Sequence, residues 1–206
     1  MGDIKFVYFD VGGVLLKDYS GSNKWVEMRR DLGVTEDLDK KFEFVWNKYR
    51  SKICIDRDVD TLIPEFEEAT GLSFPENHSI LADFVNRFEL NLSIWPIVKQ
   101  IANKYKVGLL TNMYPRMLSL IQEKKLVPDL AWDVVVDSSL VGYQKPETEI
   151  FLLAEKLAKV EPNQIFFVEN SKEHTEAAEK RGWKTLLYDP KDPQTSNSAL
   201  LELLGT

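Results

Sequence analysis

The chain has 206 residues, a net charge of −7 and a pI near 5.0. That length suits one domain of ordinary size or a core with an inserted subdomain, and the acidic balance argues against nucleic-acid binding, which needs a basic face. The single cysteine, Cys54, excludes an internal disulfide framework, and two histidines, His78 and His174, make a histidine-rich metal site an unattractive reading.

Ile4–Phe9 is an apolar and aromatic run broken only by Lys5. Such a run predicts a strand buried on both faces, as in a parallel sheet flanked by helices. It stops at Asp10, with Gly12 and Gly13 just beyond. A carboxylate at the carboxyl end of a buried parallel strand stands where open α/β sheets place their ligands.

From about residue 22 to 90 no strand-like run occurs. Trp25, Met28, Arg29 and Leu32 lie at helical spacing and end at Gly33. Phe42, Val45, Trp46 and Tyr49 form a second face, and Leu62, Phe66 and Ala69 a third, closed by Gly71. Leu81, Phe84, Val85 and Phe88 form a fourth. These predict one helical subdomain over residues 17–91.

Alternation returns at Trp95. The pattern predicts a helix from Pro96, a strand over 107–110 ending at Thr111-Asn112, and a helix over 115–124. A strand over 133–136 and a helix over 146–159 follow. The latter has Glu147 and Glu149 in its first turn, where the helix dipole favours them. A strand over 165–168 ends at Glu169-Asn170, a helix over 171–181 is closed by Gly182, and a strand over 185–188 precedes a helix over 197–204. The whole reads as an α/β doubly wound parallel sheet, residues 1–16 and 92–206, with the helical subdomain inserted after the first strand.

In such a sheet Asp10, Thr111-Asn112 and Glu169-Asn170 share one edge, and the loop Gly142–Pro146 brings Lys145 there. Carboxylates, a hydroxyl and a lysine in one crevice suit phosphate and a divalent cation. Mg²⁺ takes oxygen ligands, commonly one or two carboxylates plus substrate phosphate.

Four stretches, FDVGGVL, LLTNMY, GYQKP and FFVENSKEHTEAA, resemble in order the four motifs of the haloacid dehalogenase-like (HAD) hydrolases. The insertion resembles their α-helical cap. The resemblance implies a Rossmann-like core, with Asp10 as the nucleophile that forms an aspartyl-phosphate. It implies that Thr111 and the Asn112 backbone hold the phosphoryl group. Lys145 would steady Asp10 and offset phosphoryl charge. Asp10, the Gly12 carbonyl, Glu169 and Asn170 would hold Mg²⁺. Arg50 in the cap is a candidate for an anionic substrate, set against its reading as a solvated charge.

Each motif has a plainer reading: Thr111 as a turn cap, Lys145-Pro146 as an ordinary helix start, and Asn170 through Glu173 as a near capping box. There are also departures. Gly12 stands where phosphatases of the superfamily usually carry a second Asp as general acid and base. Asn170 stands where a metal-binding Asp is usual. The leading expectation is a Mg²⁺-dependent phosphatase of a small phosphate ester, cytoplasmic, a monomer or homodimer, binding neither nucleic acid nor membrane. The alternatives are a metal-free 2-haloacid dehalogenase, and a catalytically weakened member that binds a ligand.

Overall fold

The computed structural model describes residues 3–205. Strand β1 (Phe6–Phe9) is buried at every position. It pairs in parallel with β4 (Lys106–Thr111) on one side and β6 (Ile165–Glu169) on the other. Strand β5 (Val134–Asp137) lies outside β4 and β7 (Lys184–Leu187) outside β6, giving the order β5-β4-β1-β6-β7. Because every pairing is parallel, the carboxyl ends of β1, β4, β5 and β6 meet at one edge.

Alternation along β1 feeds two layers. Phe6 and Tyr8 pack with Phe151, Phe167 and Trp183 on one face, and Val7 and Phe9 join the larger cluster on the other. A fully buried side chain of this size contributes about 1.5–3 kcal/mol. The buried Tyr8 hydroxyl is satisfied by donating to the Ala154 carbonyl at 2.8 Å.

The insertion after β1 holds four α-helices: α1 (Lys24–Asp31), α2 (Glu36–Tyr49), α3 (Ile63–Thr70) and α4 (Ile80–Asn86). They match the four predicted apolar faces. A two-stranded antiparallel ribbon, which the periodicity did not predict, joins the start and end of the insertion. It pairs β2 (Leu16–Lys17) with β3 (Glu89–Leu90). Strands of two residues carry no readable alternation. Phe42, Phe66 and Phe84 of the insertion belong to the same buried cluster as Val7 and Phe9. Polar links also fasten it down: Arg116 pairs with Asp58 at 2.6 Å and Asp60 at 2.8 Å, and Ser138 donates to the Cys54 carbonyl.

The remaining helices are α5 (Trp95–Ala102), α6 (Met117–Glu123), α7 (Ser138–Val141), α8 (Thr148–Ala158), α9 (Lys172–Lys180) and α10 (Pro193–Leu204). Several boundaries shift. Helix α8 begins at Thr148, with Glu147 at its N-cap, because Pro146 sits in the turn before it. Helix α10 begins at Pro193, where the Asp192 side chain accepts the Thr195 N–H. Among the described residues no helix is long and apolar enough to cross a membrane.

Candidate active site

Asp10, Thr111, Lys145 and Glu169 meet at the carboxyl edge of the sheet, at the floor of a cavity of about 460 Å³. Gly12, Asn112 and Asn170 line it as well. Asp10 is only 8% exposed, and its Oδ1 lies 3.0 Å from Lys145 Nζ. The same ammonium donates to Glu169 Oε2 at 2.5 Å and to the Leu110 carbonyl at 3.0 Å, so its three protons have three acceptors. Asn112 fixes this arrangement through its side chain. Its Oδ1 accepts the Lys145 N–H at 2.8 Å and its Nδ2 donates to the Lys145 carbonyl at 2.9 Å. The sequence suggested a backbone role for Asn112. The side-chain clasp on the lysine loop depends on two segments 33 residues apart and had no local signal.

Two carboxylates share one lysine, and their acidities diverge. Burial, and then the Glu169 charge, push Asp10 up to about 6 against the pull of Lys145. Burial would also raise Glu169, but Lys145 and His174 outweigh it and hold Glu169 down to about 2. His174 Nδ1 is 3.2 Å from Glu169 Oε2. Thr111 Oγ1 is buried beside the cavity without a hydrogen-bond partner among the described residues. An unsatisfied buried hydroxyl costs about 1–3 kcal/mol, so it marks a place for a ligand oxygen.

The metal donors sort unevenly. Glu169 is fully buried and both its oxygens are committed: Oε2 to Lys145 and Oε1 to the Ser171 N–H at 2.9 Å. Among the described residues no group of three or more His, Cys, Asp and Glu stands ready to hold a metal. Asn170 Nδ2 donates to Ser20 Oγ at 3.1 Å, so Asn170 does not close the capping box allowed by its sequence. Helix α9 is instead preceded by Ser171 at its N-cap, with no side-chain cap bond. The more open donors for Mg²⁺ are one carboxylate, Asp10, and the neutral oxygens of Gly12 and Asn170; Glu169, fully buried, would have to share its oxygens with Lys145 and Ser171. That set fits a weakly held ion that keeps waters and gains oxygens from phosphate.

The cavity's other end is built by the insertion. Tyr19, Trp25, Trp46, Phe84 and Phe88 line it, with Asp18 among them. Arg50 lines an adjoining cavity that shares Trp46, Tyr114 and Lys145 with this one. Trp183 is core. Asp18 was missed by sequence reasoning. It sits in a polar loop with no periodicity, and only folding brings it over Gly12.

A sequence model of the haloacid dehalogenase-like hydrolases matches residues 4–182. The chain belongs to that family. No curated protein matches it in sequence. Solved HAD structures share the fold. A predicted HAD-like hydrolase from Porphyromonas gingivalis superposes with TM-score 0.79 at 19% identity, covering 100% of both chains. A HAD family enzyme from Bacteroides thetaiotaomicron, in complex with magnesium and inorganic phosphate, gives 0.68 at 21% identity over 88% of this chain and 92% of that one. An L-2-haloacid dehalogenase from Xanthobacter autotrophicus, with chloropropionic acid covalently bound, gives 0.59 at 22% identity over 88% and 76%. At such identities the neighbours establish the shared fold of this HAD hydrolase and leave its chemistry to its own residues.

Proposed function

We propose that the chain is a phosphatase of small phosphate esters working through an aspartyl-phosphate on Asp10. Residues 1–16 and 92–206 act as the catalytic core and 17–91 as the cap that encloses substrate. The observation that carries the reading is the partnerless Thr111 hydroxyl beside the Asp10–Lys145 pair on one cavity floor. An Asp10 oxygen attacks phosphorus, the bond to the ester oxygen breaks, and its electron pair leaves with the alkoxide or phenoxide. Thr111 donates to a phosphoryl oxygen, and Lys145 offsets charge as it builds. Water then attacks the acyl phosphate and frees Asp10.

Two carboxylates against one ammonium leave the site short of positive charge for a phosphate dianion. Mg²⁺ on Asp10, Gly12 and Asn170 would supply that charge when bound. The magnesium and phosphate complex of the Bacteroides relative supports this reading.

A metal-free 2-haloacid dehalogenase is the second reading. The apolar cavity wall and the lack of a carboxylate at residues 12 and 170 favour it, since halide leaves without a proton. A panel of phosphate esters and 2-haloacids, with Mg²⁺ and with chelator, separates the two. Asp10→Asn should abolish turnover of aryl phosphate while leaving the fold intact. Near-normal hydrolysis by that variant would refute the covalent mechanism.

A further inference from the structure

Asp18 is a carboxylate in the cavity wall with no ion-pair partner among the described residues. Its Oδ1 accepts the Ser20 N–H at 2.8 Å. Its Oδ2 stands 2.6 Å from where a side chain on Gly12 would begin, two residues after the nucleophile and in the same cavity. Lys24, whose charge reaches Asp18, is engaged with Glu89 at 2.9 Å. Lys145 is saturated by its three acceptors. Around Asp18 the wall is aromatic: Tyr19, Trp25, Trp46, Phe84 and Phe88. Arg50 is exposed and lines the adjoining cavity, across Trp25 and Trp46, which the two cavities share.

This composition selects by charge. An anionic leaving group would meet the Asp18 carboxylate, while the basic groups lining the cavity are engaged with acids: Lys145 with Asp10 and Glu169, and His174, 3.2 Å from Glu169 Oε2. A sugar would find few polar partners for its hydroxyls along an aromatic wall. A positive charge finds both a carboxylate and electron-rich ring faces, the combination that recognises ammonium groups. We propose that the leaving half of the substrate carries an ammonium group, read by Asp18 Oδ2 and the aromatic wall, so that the preferred substrates are phosphate esters of small amino alcohols. The inference rests on the phosphatase reading above and deepens it. Asp18 acts here as a specificity determinant that touches the part of the substrate that leaves.

The test compares kcat/KM for 2-aminoethyl phosphate, ethyl phosphate, 2-carboxyethyl phosphate and an aryl phosphate on the natural protein and on Asp18→Asn. Asparagine keeps an acceptor for the Ser20 N–H, so the turn is preserved, and thermal melting checks the fold. The natural protein should prefer aminoethyl over ethyl phosphate by about tenfold to a hundredfold, the range of a charge-assisted hydrogen bond. Carboxyethyl phosphate should be the poorest of the alkyl esters. In Asp18→Asn the aminoethyl-to-ethyl ratio should fall towards one, chiefly through a higher KM. A ratio near one in the natural protein, with aryl phosphate still turned over, overturns this inference alone. A ratio unchanged in a folded Asp18→Asn variant does the same. No turnover of any of the four esters overturns the phosphatase reading and this inference with it.

Discussion

Replacing Lys145 by Met removes the ammonium on which the floor of the site depends and keeps much of the aliphatic volume. Lys145 is 2% exposed, Glu169 is fully buried and Asp10 is 8% exposed, so the loss leaves two buried carboxylates facing each other. Breaking a buried ion pair by deleting one partner costs about 3–5 kcal/mol. In a chain of this length each kcal/mol moves Tm by roughly 2–4 °C, so the variant should melt about 6–20 °C lower at pH 7.

The pH dependence distinguishes electrostatics from packing. In the natural protein Glu169 is depressed to about 2, from 4.5 in the unfolded chain. Its contribution is therefore fully present above about 4.5 and is lost as pH falls through about 2. Asp10 is raised to about 6, from 3.8. The folded state therefore binds the extra proton, and Asp10 opposes folding progressively as pH rises from about 4 through 6. Without Lys145, Asp10 loses its cation and Glu169 keeps only His174, so burial raises both. The variant should regain stability on acidification from pH 7 to 5 more than the natural protein does. Urea denaturation at both pH values measures this. A loss under about 1 kcal/mol at pH 7, or a deficit that does not shrink at pH 5, would refute the account of Lys145 as the charge that two buried acids share.

Gly12→Asp should speed alkyl phosphates more than aryl phosphates, by up to the ~10²–10⁴-fold of a positioned general acid. Gly13, at φ +75°, holds the left-handed position and Gly12 does not, so the backbone accepts the change. The new side chain must displace the Asp18 carboxylate, and kcat/KM across a leaving-group series reads the result. An equally shallow dependence in both proteins would mean that another group already supplies the proton. Asn170→Asp should tighten Mg²⁺ by adding a charged ligand, read by titration calorimetry. Equal affinity would remove residue 170 from the metal site. With the nucleophile raised to about 6, kcat/KM for an aryl phosphate should rise with pH through that region as Asp10 ionises. A flat profile between pH 5 and 7 would count against Asp10 as the attacking group.

The sheet and the helical insertion were legible because their signals are local. A buried parallel strand must be continuously apolar, as Phe6–Phe9 and Ile165–Val168 are, and an amphipathic helix repeats its apolar residues every three or four positions. The floor residues were legible for a related reason: Asp10, Thr111 and Glu169 each end or follow a strand, and parallel pairing sends strand ends to one edge. What the sequence left open was how polar groups would divide their partners once together. Glu169 read as a metal ligand, and its oxygens turn out to serve Lys145 and the Ser171 N–H as well. Asn170 read as a cap until Ser20, 150 residues away, took its amide. Arg50 was open between a substrate contact and a solvated charge, and it ends exposed at the C-cap of α2, lining a cavity that adjoins the catalytic one. Asp18 gave no signal at all. Hydrogen bonds and ion pairs act over a few ångströms in space regardless of separation along the chain, so local pattern determined the scaffold and only the tertiary structure decided which side chains were left free to meet a ligand.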